Sequence, residues 1–250
     1  MSIKNDRQFS RAKKLVKKGD IRGAREIYLS ILESLPSNKE AKIGLLKLNQ
    51  IEQVNPGSKQ LESIVDFHKS GQYIKALSII DRLLETYHND PFLFNIKGSC
   101  LCETGDLNTS IISFEKAITL KPDYAEALFN LGVAYQKLNQ FDKAIESYEK
   151  ALNIQHAYPT VHLNLGIIYF QTDQLNSAIK SFEWAVAYSP NHSKAYYNLG
   201  SALQKNRQFE KAKKQFEKAI SINPNYADAY DSLGILCEII NLPNEALSYF

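Results

Sequence analysis

The stretch "AEALFNLGVAYQKLNQFDKAIESYEKALNIQHAY", residues 125–158, decides the fold. Leu128, Leu131, Gly132 and Tyr135 fall on one face at helical spacing, and Ala144, Ile145, Tyr148, Ala151 and Leu152 do so again further on. The run "LNQFD", 138–142, interrupts the pattern between them. Two helices joined by a short turn are therefore predicted. The triplet Asn130-Leu131-Gly132 then returns as Asn164-Leu165-Gly166 and Asn198-Leu199-Gly200, each 34 residues after the last.

Frames of 34 residues starting at 57, 91, 125, 159, 193 and 227 keep several columns in register. The eighth place is Gly98, Gly132, Gly166, Gly200 and Gly234, with Ile64 as the exception. The twentieth is small: Ala76, Ser110, Ala144, Ala178, Ala212 and Ala246. The twenty-fourth is large: Ile80, Phe114, Tyr148, Phe182, Phe216 and Phe250. Small residues let paired helices approach closely, and a large ring fills the space that close approach leaves elsewhere. Enlarging Gly132 to Leu is expected to overpack the pair and cost about 1–3 kcal/mol. Pro122, Pro190 and Pro224 mark frame ends, where a proline ends the second helix.

The period, the paired helices and the small and aromatic columns resemble the tetratricopeptide repeat. The resemblance implies an all-α fold, an α-solenoid of antiparallel helix hairpins wound into a superhelix, with about six full repeats and a truncated one. An earlier copy occupies 5–38, with Ala12, Leu15, Gly19, Ala24, Tyr28, Ile31 and Pro36 in the corresponding places. Residues 39–52 predict one helix without a partner, and "VNPGS" at 54–58 a break. The expected division is 1–56, a hairpin with a capping helix, and 57–250, the main array with its last frame, 227–250, cut inside the second helix. The array is expected to continue beyond Phe250, because a stacked repeat needs a polar terminal cap.

Composition narrows the function. No segment reaches the roughly 18 apolar residues of a membrane span. The N-terminus has no apolar signal-peptide core. Three cysteines do not build a disulfide framework, and a cytoplasmic setting is expected. Residues 1–42 hold 11 Lys/Arg against 5 Asp/Glu, while the remainder carries a net −3. Arg7, Arg11, Lys14 and Lys18 share one helical face, which reads as a solvated surface more readily than as a nucleic-acid or lipid site, since Asp6, Asp20 and Glu26 are interspersed. Cys100 and Cys102 stand at i and i+2 on a helix and no second pair completes a zinc set, so no metal, cofactor or catalytic residue is expected. Cys237 and His162 fall in packing columns.

The first helix of each frame carries the candidate site. A helix turns about 100° per residue, which places Asn130 and Val133 roughly 150° from the packing face of 125–138. Asn164 with Ile167, and Asn198 with Ser201, repeat this, flanked by Phe129, Leu163 and Tyr197 and, one turn on, by Phe170. Neighbouring helices lie about 8–10 Å apart and an extended chain rises about 3.3 Å per residue, so one amide would meet every third peptide unit. A carboxamide both donates and accepts, and so can hold a peptide backbone without reading its side chains. The alternative is that each amide bonds a neighbouring helix. The same Asn ladder is similar to that of the O-linked GlcNAc transferases, where it lines the superhelix and holds substrate polypeptide. The array also resembles the front part of bacterial repeat proteins fused to glycosyltransferases or sulfotransferases. The resemblances imply either a scaffold that binds other proteins or peptides in a concave groove, or the substrate-docking region of a larger transferase. A carboxylate clamp is disfavoured: Lys194 and Asn198 supply a fragment of it, but the next frame offers Asp228 and Ser232.

Overall fold

The structure, a computed structural model, describes residues 3–17, 20–54 and 58–249. Lys18, Gly19, Phe250 and most of the 54–58 break lie outside them. Among the described residues the chain forms helices only. They are α1 (Ile3–Lys17), α2 (Ile21–Ser34), α3 (Lys39–Val54), α4 (Ser58–Lys69), α5 (Tyr73–Thr86), α6 (Pro91–Thr104), α7 (Leu107–Leu120) and α8 (Ala125–Lys137). They continue as α9 (Phe141–Ile154), α10 (Pro159–Gln171), α11 (Leu175–Tyr188), α12 (Ser193–Lys205), α13 (Phe209–Ile222), α14 (Ala227–Ile239) and α15 (Pro243–Tyr249). Packing divides the chain into two units, Met1–Thr104 and Gly105–Phe250. This boundary falls inside the 91–124 frame, away from the 56/57 division expected from the sequence.

In the second unit the helices pair consecutively: α8 with α9, α10 with α11, α12 with α13, α14 with α15. The glycine column explains the closeness of three of these pairs. A Cβ at Gly132 would sit 2.5 Å from the Tyr148 ring, one at Gly166 2.5 Å from Phe182, and one at Gly200 2.7 Å from Phe216. Each of these three glycines thus receives the twenty-fourth-place ring of its own repeat. The alanines of the twentieth and twenty-seventh places, from Ala144 and Ala151 to Ala212 and Ala219, are fully or almost fully buried.

The turn between paired helices has a backbone cause. The fifteenth place of all six frames has positive φ: Gly71, Gly105, Asn139, Asp173, Arg207 and Asn241, between 57° and 91°. Behind Asn139, the Gln140 N–H donates to the Tyr135 carbonyl at 2.9 Å and the Asn139 N–H to the Gln136 carbonyl at 2.9 Å. The same pair of bonds recurs at 71–72, 173–174, 207–208 and 241–242. These are Schellman closures, which satisfy the last carbonyls of the first helix and need a left-handed residue one position past its C-cap.

The first unit contains two cores. Phe9, Ala12, Ala24, Tyr28, Ile31, Ala41 and Leu48 join α1, α2 and α3. Ile64, Ala76, Ile80, Leu83, Leu93, Ile96 and Cys100 join α4, α5 and α6. In the latter, Ile64 and Ile80 replace the glycine–aromatic pair by two branched aliphatics. Three helices here are capped by side chains, with Asp20 accepting from the Gly23 N–H at 2.9 Å, Asn38 from Ala41 at 2.9 Å and Asp90 from Phe92 at 2.8 Å, whereas Gln72 before α5 makes no such bond. No helix among the described residues is long and apolar enough to cross a membrane.

Candidate functional site

Asn130, Asn164 and Asn198 stand on α8, α10 and α12, the first helices of three successive hairpins, and all three are half-buried. Their surroundings differ. The Asn164 Nδ2 donates to the Tyr148 hydroxyl at 3.0 Å, and that hydroxyl donates to Gln136 Oε1 at 2.8 Å. One chain of bonds therefore ties α8, α9 and α10 together. It also orients the amide of Asn164: its N–H side is held by the neighbouring repeat, and its Oδ1 accepts no bond within the described chain. The equivalent ring for Asn198 is Phe182, which has no hydroxyl. Asn198 forms no side-chain hydrogen bond among the described residues, and Asn130 has an interaction of its own. Of the two readings of the ladder from the sequence, the bond to a neighbouring helix describes Asn164.

The flanking residues are ordered by a column that sequence reading missed. Phe129 lies 6.0 Å from Tyr148 and 5.3 Å from Tyr158, ring centre to ring centre. Tyr197 lies 5.8 Å from Phe216 and 5.1 Å from Tyr226. Tyr158 and Tyr226 hold the thirty-fourth place of their frames, so each fifth-place ring is wedged between two others. Burial raises the hydroxyl pKa of both, with Glu126 adding for Tyr158 and Tyr197 and Asp228 adding for Tyr226. The 159–192 repeat has Leu163 and His192 instead, and a cavity of about 120 Å³ opens beside them. Leu163 itself is buried and joins the core, so this expected groove residue offers little surface.

Val133, Ile167, Ser201 and Phe170 are half-buried. The Ser201 hydroxyl is turned back onto the Tyr197 carbonyl at 3.0 Å, which withdraws it as a donor. The Lys205 ammonium lies 5.1 Å above the Phe170 ring and pairs with Asp173 at 2.7 Å. Cys100, Cys102 and Cys237 are buried, and burial pushes the Cys100 thiol up to about 11. A thiol held that high carries almost no thiolate near neutral pH. Among the described residues no three His, Cys, Asp or Glu side chains are grouped to hold a metal ion.

Comparison with known proteins agrees with this architecture. Profiles of the tetratricopeptide repeat match residues 125–158, 159–192 and 193–226, and a further TPR profile matches 98–139. The human protein DnaJ homolog subfamily C member 3 is 26% identical over 141 residues, covering 55% of this chain and 27% of that protein. Its Rattus norvegicus counterpart is 24% identical over the same length. The chain thus spans about a quarter of the length of the curated relatives it matches. Among solved structures, MamA is 31% identical with a TM-score of 0.59, covering 61% of this chain and 90% of MamA. YrrB, described as a TPR protein with an unusual peptide-binding site, shares the fold at 21% identity and a TM-score of 0.60, covering 68% of this chain and 88% of its own. With its 34-residue register, its glycine–ring pairs and these matches across 98–226, the chain belongs to the tetratricopeptide repeat family.

Proposed function

We propose that this chain is a protein-interaction scaffold whose α8, α10 and α12 hold an extended polypeptide, with Asn130, Asn164 and Asn198 bonding its backbone. The observation that carries the reading is at Asn198: a half-buried amide on the candidate face with no hydrogen bond to the described chain. A partner that enters such a site supplies the missing bonds and gains from their shelter. Phe129, Tyr197, Val133, Ile167, Ser201 and Phe170 would border the peptide, with Leu163 beneath it. Asn164 acts as an acceptor for a peptide N–H, since Tyr148 already takes its own N–H. The peptide-binding site named for YrrB and the scaffold fold shared with MamA support the same use.

The test is binding of a permanently unfolded polypeptide, such as reduced and carboxymethylated lactalbumin, followed by fluorescence anisotropy. Asn198→Ala is expected to weaken binding about fivefold with an unchanged melting temperature, the equivalent of about 1 kcal/mol. Asn164→Ala is expected to weaken binding and also lower stability by about 1 kcal/mol, because it removes the bond to Tyr148. Binding that is unaltered in the triple variant Asn130→Ala, Asn164→Ala, Asn198→Ala would assign the column to packing alone. A second reading, that the array is the docking region of a longer protein, draws on the greater length of the DnaJ homologs; its transferase form draws only on the likeness of the Asn ladder. It predicts that the array alone binds the polypeptide as tightly as the full-length product of its gene does.

A further inference from the structure

A cleft of about 390 Å³ lies between α1, α2 and α3 of the first unit, whereas the Asn ladder belongs to the second. Its floor is made by Tyr28 and Gly44. A Cβ at Gly44 would stand 2.6 Å from the Tyr28 ring, so the α3 backbone rests directly on that ring. Val16 and Ile43 form the walls, and Ile43 is 53% exposed.

The rim is basic. Lys13, Lys17 and Lys47 border the cleft against one carboxylate, Glu40. Lys13 pairs with Glu40 at 3.3 Å. Lys17 and Lys47 form no ion pair among the described residues. Of the other basic side chains of α1, Arg7, Arg11 and Lys14 are exposed and do not border the cleft. A second cleft, of about 450 Å³ between α7, α8 and α9, provides the contrast. There Lys143 and Lys150 are matched by Glu115 and Glu146, and Lys150 pairs with Glu146 at 2.7 Å. Among the described residues the first cleft therefore has two unpaired lysines, Lys17 and Lys47, over an apolar floor, whereas the lysines of the second are matched in number by carboxylates.

That combination selects its ligand. The uncompensated ammonium groups ask for carboxylates or phosphates, and the apolar floor asks for an aliphatic side chain between them. The lysine stems extend the apolar wall while their heads reach solvent. A nucleic-acid backbone would satisfy the rim and leave Val16, Ile43 and the Tyr28 ring unused. We infer that the cleft between α1, α2 and α3 is a second polypeptide site, specific for an acidic segment that places an aliphatic side chain between carboxylates. It is independent of the amide ladder.

The experiment is anisotropy of a fluorescein-labelled peptide of alternating Asp and Leu, titrated with the full chain at low and at moderate salt. Its partner probe carries Asn in place of every Asp. The Asp peptide is expected to bind, more weakly as salt rises, and the Asn peptide to lose about tenfold or more. K17E with K47E is expected to weaken the Asp peptide by about tenfold, and I43D to weaken it too, while the triple Asn→Ala variant binds it as wild type does. The melting curve followed by circular dichroism checks the fold; should the charge reversal unfold the unit, K17Q with K47Q makes the same measurement. Equal binding of the Asp and Asn peptides, or wild-type binding by the charge-reversed protein, overturns the assignment. So does failure of the Asp peptide to bind while anionic vesicles or a single-stranded oligonucleotide bind in a way that K17E with K47E abolishes.

Discussion

Arg207 is the residue whose backbone disagrees with its side chain. Its φ of 58° closes the α12–α13 turn in the left-handed region, where a Cβ crowds the following carbonyl. Asn139, Asp173 and Asn241 tolerate this conformation better, and Gly71 and Gly105 incur no Cβ penalty. Arg207→Gly is expected to stabilise the chain by about 0.5–1 kcal/mol, the relief of the strain less the added freedom of the unfolded glycine. A higher urea midpoint with an unaltered slope would bear this out, and a lower midpoint would show that Arg207 makes compensating contacts. The column is visible in the sequence once the frame is known. Its residue types, two Gly, two Asn, one Asp and one Arg, share no side-chain chemistry, so only the backbone angle reveals that they do one job.

At the scale of the element, two features of α10 and α11 can be measured. The His162 ring stacks against Trp184 and Tyr188, with centroids 6.2 and 5.6 Å away, and its Nε2 lies 3.1 Å from the His156 carbonyl. Burial lowers the pKa of His162 below its ordinary 6.5, and the carbonyl offsets part of that shift. The unfolded chain then takes up a proton at a higher pH than the folded one. The contribution of His162 to stability is therefore complete above about pH 6.5, is lost as pH falls toward the folded pKa, and levels off below it. His162→Gln is expected to flatten that part of the stability profile. Trp184, the one tryptophan of the chain, reports the same event by fluorescence, with a midpoint below that of free histidine. The cavity beside Leu163 supplies the second measurement. Leu163→Phe restores the ring found at Phe129 and Tyr197, and is expected to add about 0.5–2 kcal/mol by filling it. A drop in melting temperature would mean that the ring cannot reach the space near His192.

Across the second unit, stability is a sum over neighbours, because each hairpin packs on the next. The most extensive core cluster among the described residues runs from Leu163 to Ala246 and draws most of its buried side chains from α11 and α12. Native-state hydrogen exchange is expected to protect the amides of α10–α13 longest and those of α15, a helix of 7 residues, least. Uniform protection through the unit would show instead that it opens as one cooperative body.

Much of this was legible before any coordinates. The 34-residue period and the two helices per frame follow from residue size at fixed spacing, because a repeated sequence imposes the same local packing at every copy, whereas only the structure seats the Tyr148 ring on Gly132 itself. The stacking of Tyr158 and Tyr226 on Phe129 and Tyr197 was in principle readable, since a tyrosine recurs at the thirty-fourth place, but its role appears only when the turn brings that place back over the helix. What the tertiary structure alone decided is polar and long-range. The hydroxyl that distinguishes Tyr148 from Phe182 meets Gln136 and Asn164 on two different helices, and so makes Asn164 unlike Asn198 although the sequence writes them alike. The unmatched lysines over Tyr28 likewise come from separate helices. Periodicity along a chain determines which residues share a face. Which donors and charges find partners depends on distances between helices.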